Sequence, residues 1–338
     1  MRPESDLGRA VAAAFSPDGA LALAWPGFEP RAGQQRMAVG AADVIDTGGT
    51  LLAEAGTGTG KTLAYLIPAI LSRQRVLVST GTKNLQEQIF FKDLPALAEA
   101  LGVRFTATLM KGRSNYLCLH RLHGVSDAAA TPALFERGDR EAAERAVFLP
   151  VIEEWAATTT TGDRAELRDL PEDLPLWGRI SADAETCLGA ECPRYNDCFV
   201  TLMRQRAAES DVVIVNHHLL CADAAVRHGS FGEVIPGAPT LVVDEAHQLE
   251  DVATNYFGVA ISNYRVDELV RDGERVVATA HTSRRDQRED GAWSRPQIED
   301  VARSLARVAE HSRRFFADVS TVRGAGDSPG ETRIRYSS

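Results

Sequence analysis

The sequence predicts an α/β protein built on a parallel sheet, and three stretches predict it. Leu51-Leu52-Ala53 is a short apolar run that leads into Glu54-Ala55-Gly56-Thr57-Gly58-Thr59-Gly60-Lys61-Thr62, after which Leu63–Ile67 continues with helical character. Asp211–Asn216 is apolar through its middle, as expected of a strand covered on both faces. Thr240–Val243 is a third apolar run and ends in Asp244-Glu245-Ala246-His247. Strand, glycine-rich turn and helix in that order form the context of a phosphate-binding loop.

The chemistry of that loop follows from its residue types. Glycines let backbone N–H groups face phosphate oxygens without an intervening Cβ. The helix N-terminus adds partial positive charge. Ala55, Gly56, Thr57, Gly58, Thr59 and Gly60 would cradle the phosphates, Lys61 would neutralise the β/γ pair, and the Thr62 hydroxyl would ligate Mg²⁺. The first position is Ala55 rather than Gly. A strand that delivers two carboxylates at its C-terminal end supplies the acidic partner: Asp244 would hold Mg²⁺, and Glu245 would orient and deprotonate the attacking water.

Composition bounds the class. The chain has 338 residues, 44% of them hydrophobic and 25% charged, which suits two domains or one large domain with insertions. No apolar run approaches the ~20 residues of a membrane span, and Met1–Gly8 lacks a basic-then-apolar leader, so a cytoplasmic protein is expected. A net charge of −10 confines any nucleic-acid contact to a local basic surface.

Taken in order, residues 1–24 are Ala-rich and weakly amphipathic. Pro30 suits the first turn of a helix running to about Ile45, and Gly48-Gly49 should stop it. A Gln and an Arg just upstream of the loop can read an adenine edge; the plain alternative is a solvated helix start. Pro68 predicts a kink or an end near Ile67. Arg75–Ser79 reads as a strand, followed by Thr80-Gly81-Thr82 and a polar-faced helix. That loop suits either a nucleic-acid phosphate or an ordinary N-cap. Phe105–Leu109 is another strand candidate. In Lys111-Gly112-Arg113-Ser114-Asn115-Tyr116, cations and an aromatic alternate, as in phosphate contact plus base stacking. Residues 124–185 read as an insertion with helical spacing over Arg140–Trp155. His217 and His218 read as polar loop residues, and Cys221 as a free buried thiol. From Asn255 the pattern is helical and polar, with Ile298, Val301, Leu305, Val308 and Phe315-Phe316 near a 3.6 period. Ser283–Asp290 reads as a solvated loop and residues 324–338 as poorly ordered.

Four of the five cysteines form a pattern. Cys187, Cys192 and Cys198 are spaced x₄ and x₅, and Cys118 lies 68 intervening residues upstream. In a reducing compartment these point to metal ligation rather than disulfides. The one-plus-three layout matches a cubane iron–sulfur cluster better than the paired x₂–x₄ spacings of zinc ribbons, though zinc and unligated thiols stay open on spacing alone.

With these residues in view, the chain resembles the DinG/XPD family of superfamily 2 iron–sulfur DNA helicases, in the bacterial DinG/YoaA branch. The resemblance rests on Phe28–Met37, Glu54–Ala69, Ser79–Gln88, Lys111–Cys118, Cys187–Cys198, Val213–Leu219 and Val243–Leu249, and covers roughly residues 18–260. It implies a RecA-like motor domain over residues 1–110 and 206–254, interrupted by an iron–sulfur domain over 111–205 and followed by part of a helical arch over 255–338. Arg31 and Gln34 would read adenine, with Cys118, Cys187, Cys192 and Cys198 on a [4Fe–4S] cluster. Implied cofactors are the cluster, ATP and Mg²⁺. Thr80, Thr82, Lys111, Arg113 and Tyr116 are the candidate DNA contacts. The resemblance further implies 5′→3′ movement on single-stranded or forked DNA, a monomer, replication or repair proteins as partners, no membrane, and a repair role. No second-motor motif follows His247, so an N-terminal portion of a longer helicase, hydrolysing ATP poorly by itself, is expected. The competing expectation is a nucleotide- and DNA-binding module without efficient turnover, or a redox-responsive cluster protein.

Overall fold

The computed structural model describes residues 5–56, 58–129, 139–183, 186–228, 233–258, 262–283 and 294–322. The chain divides into two compact units, Met1–Phe257 and Gly258–Ser338.

In the first unit α1 (Asp6–Ala14) is capped by the Ser5 hydroxyl, which accepts from Gly8 N. It is followed by α2 (Ala20–Ala24) and α3 (Ala32–Thr47), the latter ending at Gly48 with φ 79°. Next come α4 (Lys61–Leu71), β1 (Val76–Thr80) and α5 (Lys83–Gln88). A π-helical turn over Ile89–Asp93 leads into α6 (Leu94–Leu101) and β2 (Ala107–Leu109). The insertion supplies α7 (Leu119–Ala129), α8 (Asp139–Thr158) and α9 (Pro175–Ile180). The chain returns through α10 (Phe199–Glu209), β3 (Val212–Asn216), α11 (His217–His228), β4 (Thr240–Val243) and α12 (Leu249–Phe257).

The four described strands form one sheet in the order β2-β3-β1-β4, and every pairing is parallel. Side chains alternate between faces along a strand. Val76 and Val78 of β1 and their register partners Val212 and Ile214 therefore face α1, α3, α4 and α6, in a core that includes Val11, Leu66, Ile67 and Leu97. Leu77, Val213 and Val215 face the other way, toward a second core built from Met110, Leu117, Ile152, Trp177, Ile180 and Phe199. The insertion thus contributes much of the layer under the sheet. It is stitched on by isolated bridges Tyr116↔Asp163 and Leu117↔Ser181.

Three local expectations are corrected. The run Leu51–Ala53 pairs with no strand, and Leu52 is 92% exposed. A strand requires a ladder partner, and the β4 edge, where Leu241 is 51% exposed, carries none among the described residues. Pro68 does not end its helix: Ser72 N still donates to Pro68 O, because the buried residues Tyr65–Ile70 hold the segment in place. The strand expected over Phe105–Leu109 is shortened to Ala107–Leu109, since Asp211 Oδ2 takes the Thr106 amide.

The second unit holds α13 (Asn263–Ser283) and α14 (Arg295–Val322), packed on each other. Ile298 and Val270 are buried, and a Cβ at Gly273 would meet the Leu305 side chain at 2.7 Å, so the glycine allows a close approach. Phe315 and Val308, expected on an apolar stripe, are exposed within this unit. Residues 284–290 and 324–338 lie outside the described residues. No helix among the described residues is long and apolar enough to cross a membrane.

Ile214 sits at the centre of the sheet with no exposed surface. Ile214→Ala is expected to lower unfolding free energy by about 2–5 kcal/mol, read as a lower urea midpoint at unchanged slope.

Candidate functional site

The glycine-rich loop is held from below by α3. Gly58 and Gly60 have φ of 74° and 81°, in the region glycine favours. Gln34 is buried and its amide donates to Gly60 O at 2.9 Å; a Cβ on Gly60 would lie 2.1 Å from that amide nitrogen. Arg31 Nη1 donates to Gly58 O at 2.6 Å, and the Thr59 hydroxyl closes the turn on Gly56 O at 2.8 Å. Arg31, Gln34, Ala55, Gly58, Thr59 and Lys61 line one cavity of about 500 Å³. Thr57 lies outside the described residues.

The acidic box arrives on the neighbouring strand. β4 runs parallel to β1, and the Asp244 amide extends that ladder by donating to Ser79 O at 2.8 Å. This brings Lys61 Nζ to 2.8 Å from Glu245 Oε1, although 184 positions separate them in sequence. The hydrogen bond raises the Lys61 pKa and holds that of Glu245 below the ordinary carboxylate range. His247 Nδ1 is 3.5 Å from the other Glu245 oxygen. Asp244 is buried and accepts from Glu245 N at 3.0 Å and from the Tyr65 hydroxyl at 3.0 Å. The Thr62 side chain, one turn earlier on α4, also acts on the charge state of that phenol. Burial first, and then the Asp244 charge, keep that phenol protonated far above its ordinary range. Sequence reasoning missed Tyr65; its place one helical turn beyond Thr62 was the available signal.

The candidate DNA contacts separate into two groups. Thr82 is exposed at the start of α5, where its hydroxyl accepts from Leu85 N as an N-cap, and Arg113 is half-buried. The expectation of direct contact is corrected for the other three. Thr80 is fully buried, with its hydroxyl on Thr82 O. Tyr116 is buried, and its hydroxyl accepts from Lys111 N at 3.1 Å. Lys111 is buried between Glu87 at 2.9 Å and Asp163 at 2.7 Å. Burial opposes its charge, but the hydrogen bonds to Asp163 and Glu87 prevail and raise its pKa. Lys111 fastens the insertion to α5, while Thr80 and Tyr116 turn inward onto nearby backbone. The Gln248 amide lies over Gly81, where a Cβ would come within 2.1 Å of Gln248 Oε1.

The four patterned cysteines share a neighbourhood. Cys118 begins the turn into α7, with its amide on Ile180 O at 2.8 Å, and Cys198 caps α10. Burial raises the Cys118 thiol pKa, and Cys198 and Cys192 add to the shift. Cys187 and Cys198 both act on Arg204, whose pKa is lowered mainly by burial and by nearby Arg113. All four are free thiols, the donor chemistry a thiolate-bound group takes. No three His, Cys, Asp or Glu side chains among the described residues are gathered closely enough to hold a metal ion. Cys221 is buried apart in α11.

A parallel sheet that sets a glycine-rich loop against a strand-end Asp-Glu pair defines a P-loop nucleotide-binding domain. Residues 34–175 match the model of the DEAD/DEAH box helicase family. The chain is 43% identical to the ATP-dependent DNA helicase YoaA of Escherichia coli over 258 residues, which cover 76% of this chain and 39% of that protein. It is 39% identical to YoaA of Haemophilus influenzae over 319 residues, 94% of this chain and 47% of the relative. To the ATP-dependent helicase DinG of Mycobacterium tuberculosis it is 38% identical over 285 residues, 78% of this chain and 41% of the relative. The chain carries a DEAD/DEAH box helicase domain match over residues 34–175, is similar to relatives named YoaA and DinG, and spans less than half the length of the three named here.

Lys111→Met leaves Glu87 and Asp163 without their shared cation. It is expected to destabilise the first unit by about 3 kcal/mol, measured by urea unfolding.

Proposed function

We propose that this chain is the first motor domain of an ATP-driven DNA helicase. The observation that carries the reading is the 2.8 Å contact between Lys61 and Glu245, which joins the glycine-rich loop to the acidic box. Residues 55–62 take the triphosphate, and Arg31 and Gln34, which line the same cavity, read the adenine. Thr62 and Asp244, the latter held by the Tyr65 hydroxyl, take Mg²⁺. Glu245 orients and deprotonates the attacking water. A bound γ-phosphate draws Lys61 onto itself and releases Glu245 for that task. The names of the relatives support DNA as the partner.

In this reading Thr82 and Arg113 contact the backbone of single-stranded or forked DNA, movement runs 5′→3′, and the protein serves repair in the cytoplasm. Cys118, Cys187, Cys192 and Cys198 hold a [4Fe–4S] cluster. When bound, that group supplies a rigid four-thiolate knot and one-electron redox chemistry. The free-thiol donor set and the shared electrostatic neighbourhood support this assignment.

Nucleotide binding and single-turnover hydrolysis of labelled ATP test the motor. Lys61→Ala is expected to abolish binding. Glu245→Gln is expected to bind normally and hydrolyse about 10²–10⁴-fold more slowly. Equal hydrolysis by Glu245→Gln and the unsubstituted chain would refute the role of Glu245. A titration of single-stranded DNA with and without ATP separates motor from passive binder: the motor shows nucleotide-coupled affinity and the binder does not.

Anaerobic purification tests the cysteines. Brown protein with about four irons per chain, lost in Cys118→Ser, is expected; colourless protein holding zinc and no iron would overturn the cluster.

A further inference from the structure

His217 is used by neither the fold nor the nucleotide site described above. The sequence suggested a polar loop residue, yet it opens α11 directly behind β3 and is fully buried. A buried imidazole is ordinary when both nitrogens are satisfied. Here only one is: Nδ1 lies 2.7 Å from Ser79 Oγ, while Nε2 is buried with no hydrogen-bond partner. Ser79 is the shared node. Its side chain meets His217, and its backbone carbonyl receives the Asp244 amide. The ring therefore stands behind the turn that carries the acidic box, close enough that the Asp244 and Glu245 backbone groups act on its charge state.

That turn is strained. Glu245 has φ 53° and ψ 44°, a left-handed conformation that a residue with a Cβ adopts at a cost. Such a conformation persists only when its surroundings impose it. The Asp244 carboxylate holds the Glu245 amide from one direction. The Ser79 hydroxyl can donate to Nδ1 or accept from it; in the arrangement where it donates, the neutral imidazole carries its proton on Nε2, a buried donor left for a backbone carbonyl of the same turn.

We propose that His217 is a positioning residue for Glu245: anchored on Ser79, its Nε2–H braces the Asp244–Glu245 turn in the left-handed conformation that aims the Glu245 carboxylate at the glycine-rich loop. The proposal rests on the reading of Glu245 as the hydrolytic carboxylate. His217 touches neither nucleotide nor water, so its loss acts on turnover and spares nucleotide affinity.

The test uses the whole 338-residue chain, with single-turnover hydrolysis of labelled ATP and equilibrium binding of a fluorescent ATP analogue. His217→Leu is expected to slow hydrolysis on the order of a hundredfold, with analogue binding unchanged within about twofold. His217→Gln places an amide N–H near the Nε2 position and should restore most of the rate. His217→Asn keeps only the Ser79 contact and should not. Unchanged hydrolysis in His217→Leu, parallel loss of hydrolysis and binding, or equal rates in the Gln and Asn variants would each overturn the proposal. Glu245→Gln run alongside separates the two readings: normal hydrolysis there sinks the role of Glu245 itself. Nitrogen-15 NMR of labelled histidine is independent of turnover. A neutral ring protonated at Nε2 is expected, and one protonated at Nδ1 would overturn the brace.

Discussion

The site depends on the parallel pairing of β1 with β4. That ladder, extended by the Asp244 amide on the Ser79 carbonyl, places the acidic box beside the glycine-rich loop. Neither half has meaning without the other. A lysine at a helix N-terminus binds anions of many kinds, and a strand-end carboxylate pair is only a polar terminus. Set 2.8 Å apart, they join the glycine-rich loop to the acidic box, the contact on which the proposed hydrolysis of a triphosphate rests. Hydrogen bonds to buried groups then remove slack. Tyr65 reaches Asp244 from α4, and Gln34 of α3 and Arg31 just before it hold the loop carbonyls.

The sheet separates two cores with different origins. One face is covered by helices that flank the glycine-rich loop in sequence; the other is covered largely by the insertion. Lys111 shows how the second layer is attached. Its ammonium, buried between Glu87 of α5 and Asp163 of the insertion, fixes three segments at one point. The cysteine neighbourhood is thereby tied to the element that follows β1, and Gln248 seated on Gly81 ties the acidic box to the same element.

Much of this was legible in the residues. The loop at 55–62, the box at 244–245 and β3 follow from local patterns in which each residue type has one physical use. The stop at Gly48 and the N-cap at Thr82 are equally local. Misread positions share one cause. Lys111, Tyr116 and Thr80 looked like contact residues, but all three are buried, and Lys111 is held between Glu87 and Asp163 of the insertion. His217 looked polar and became the most enclosed histidine of the first unit's described residues. Leu51–Ala53 had the apolar character of a strand and lacked a partner to pair with.

The sequence by itself determined which groups are present, in what local frame: a glycine-rich turn before a helix, carboxylates at a strand end, and four spaced thiols. Those depend on backbone permissiveness and on periodicity, which act over a few residues. Only the tertiary structure decided which of these groups meet and which charged side chains are withdrawn from solvent. It set Lys61 on Glu245, Tyr65 on Asp244 and His217 on Ser79, and buried Lys111. Such outcomes depend on strand order and on what covers each face of the sheet, and both are set by contacts between segments more than a hundred residues apart.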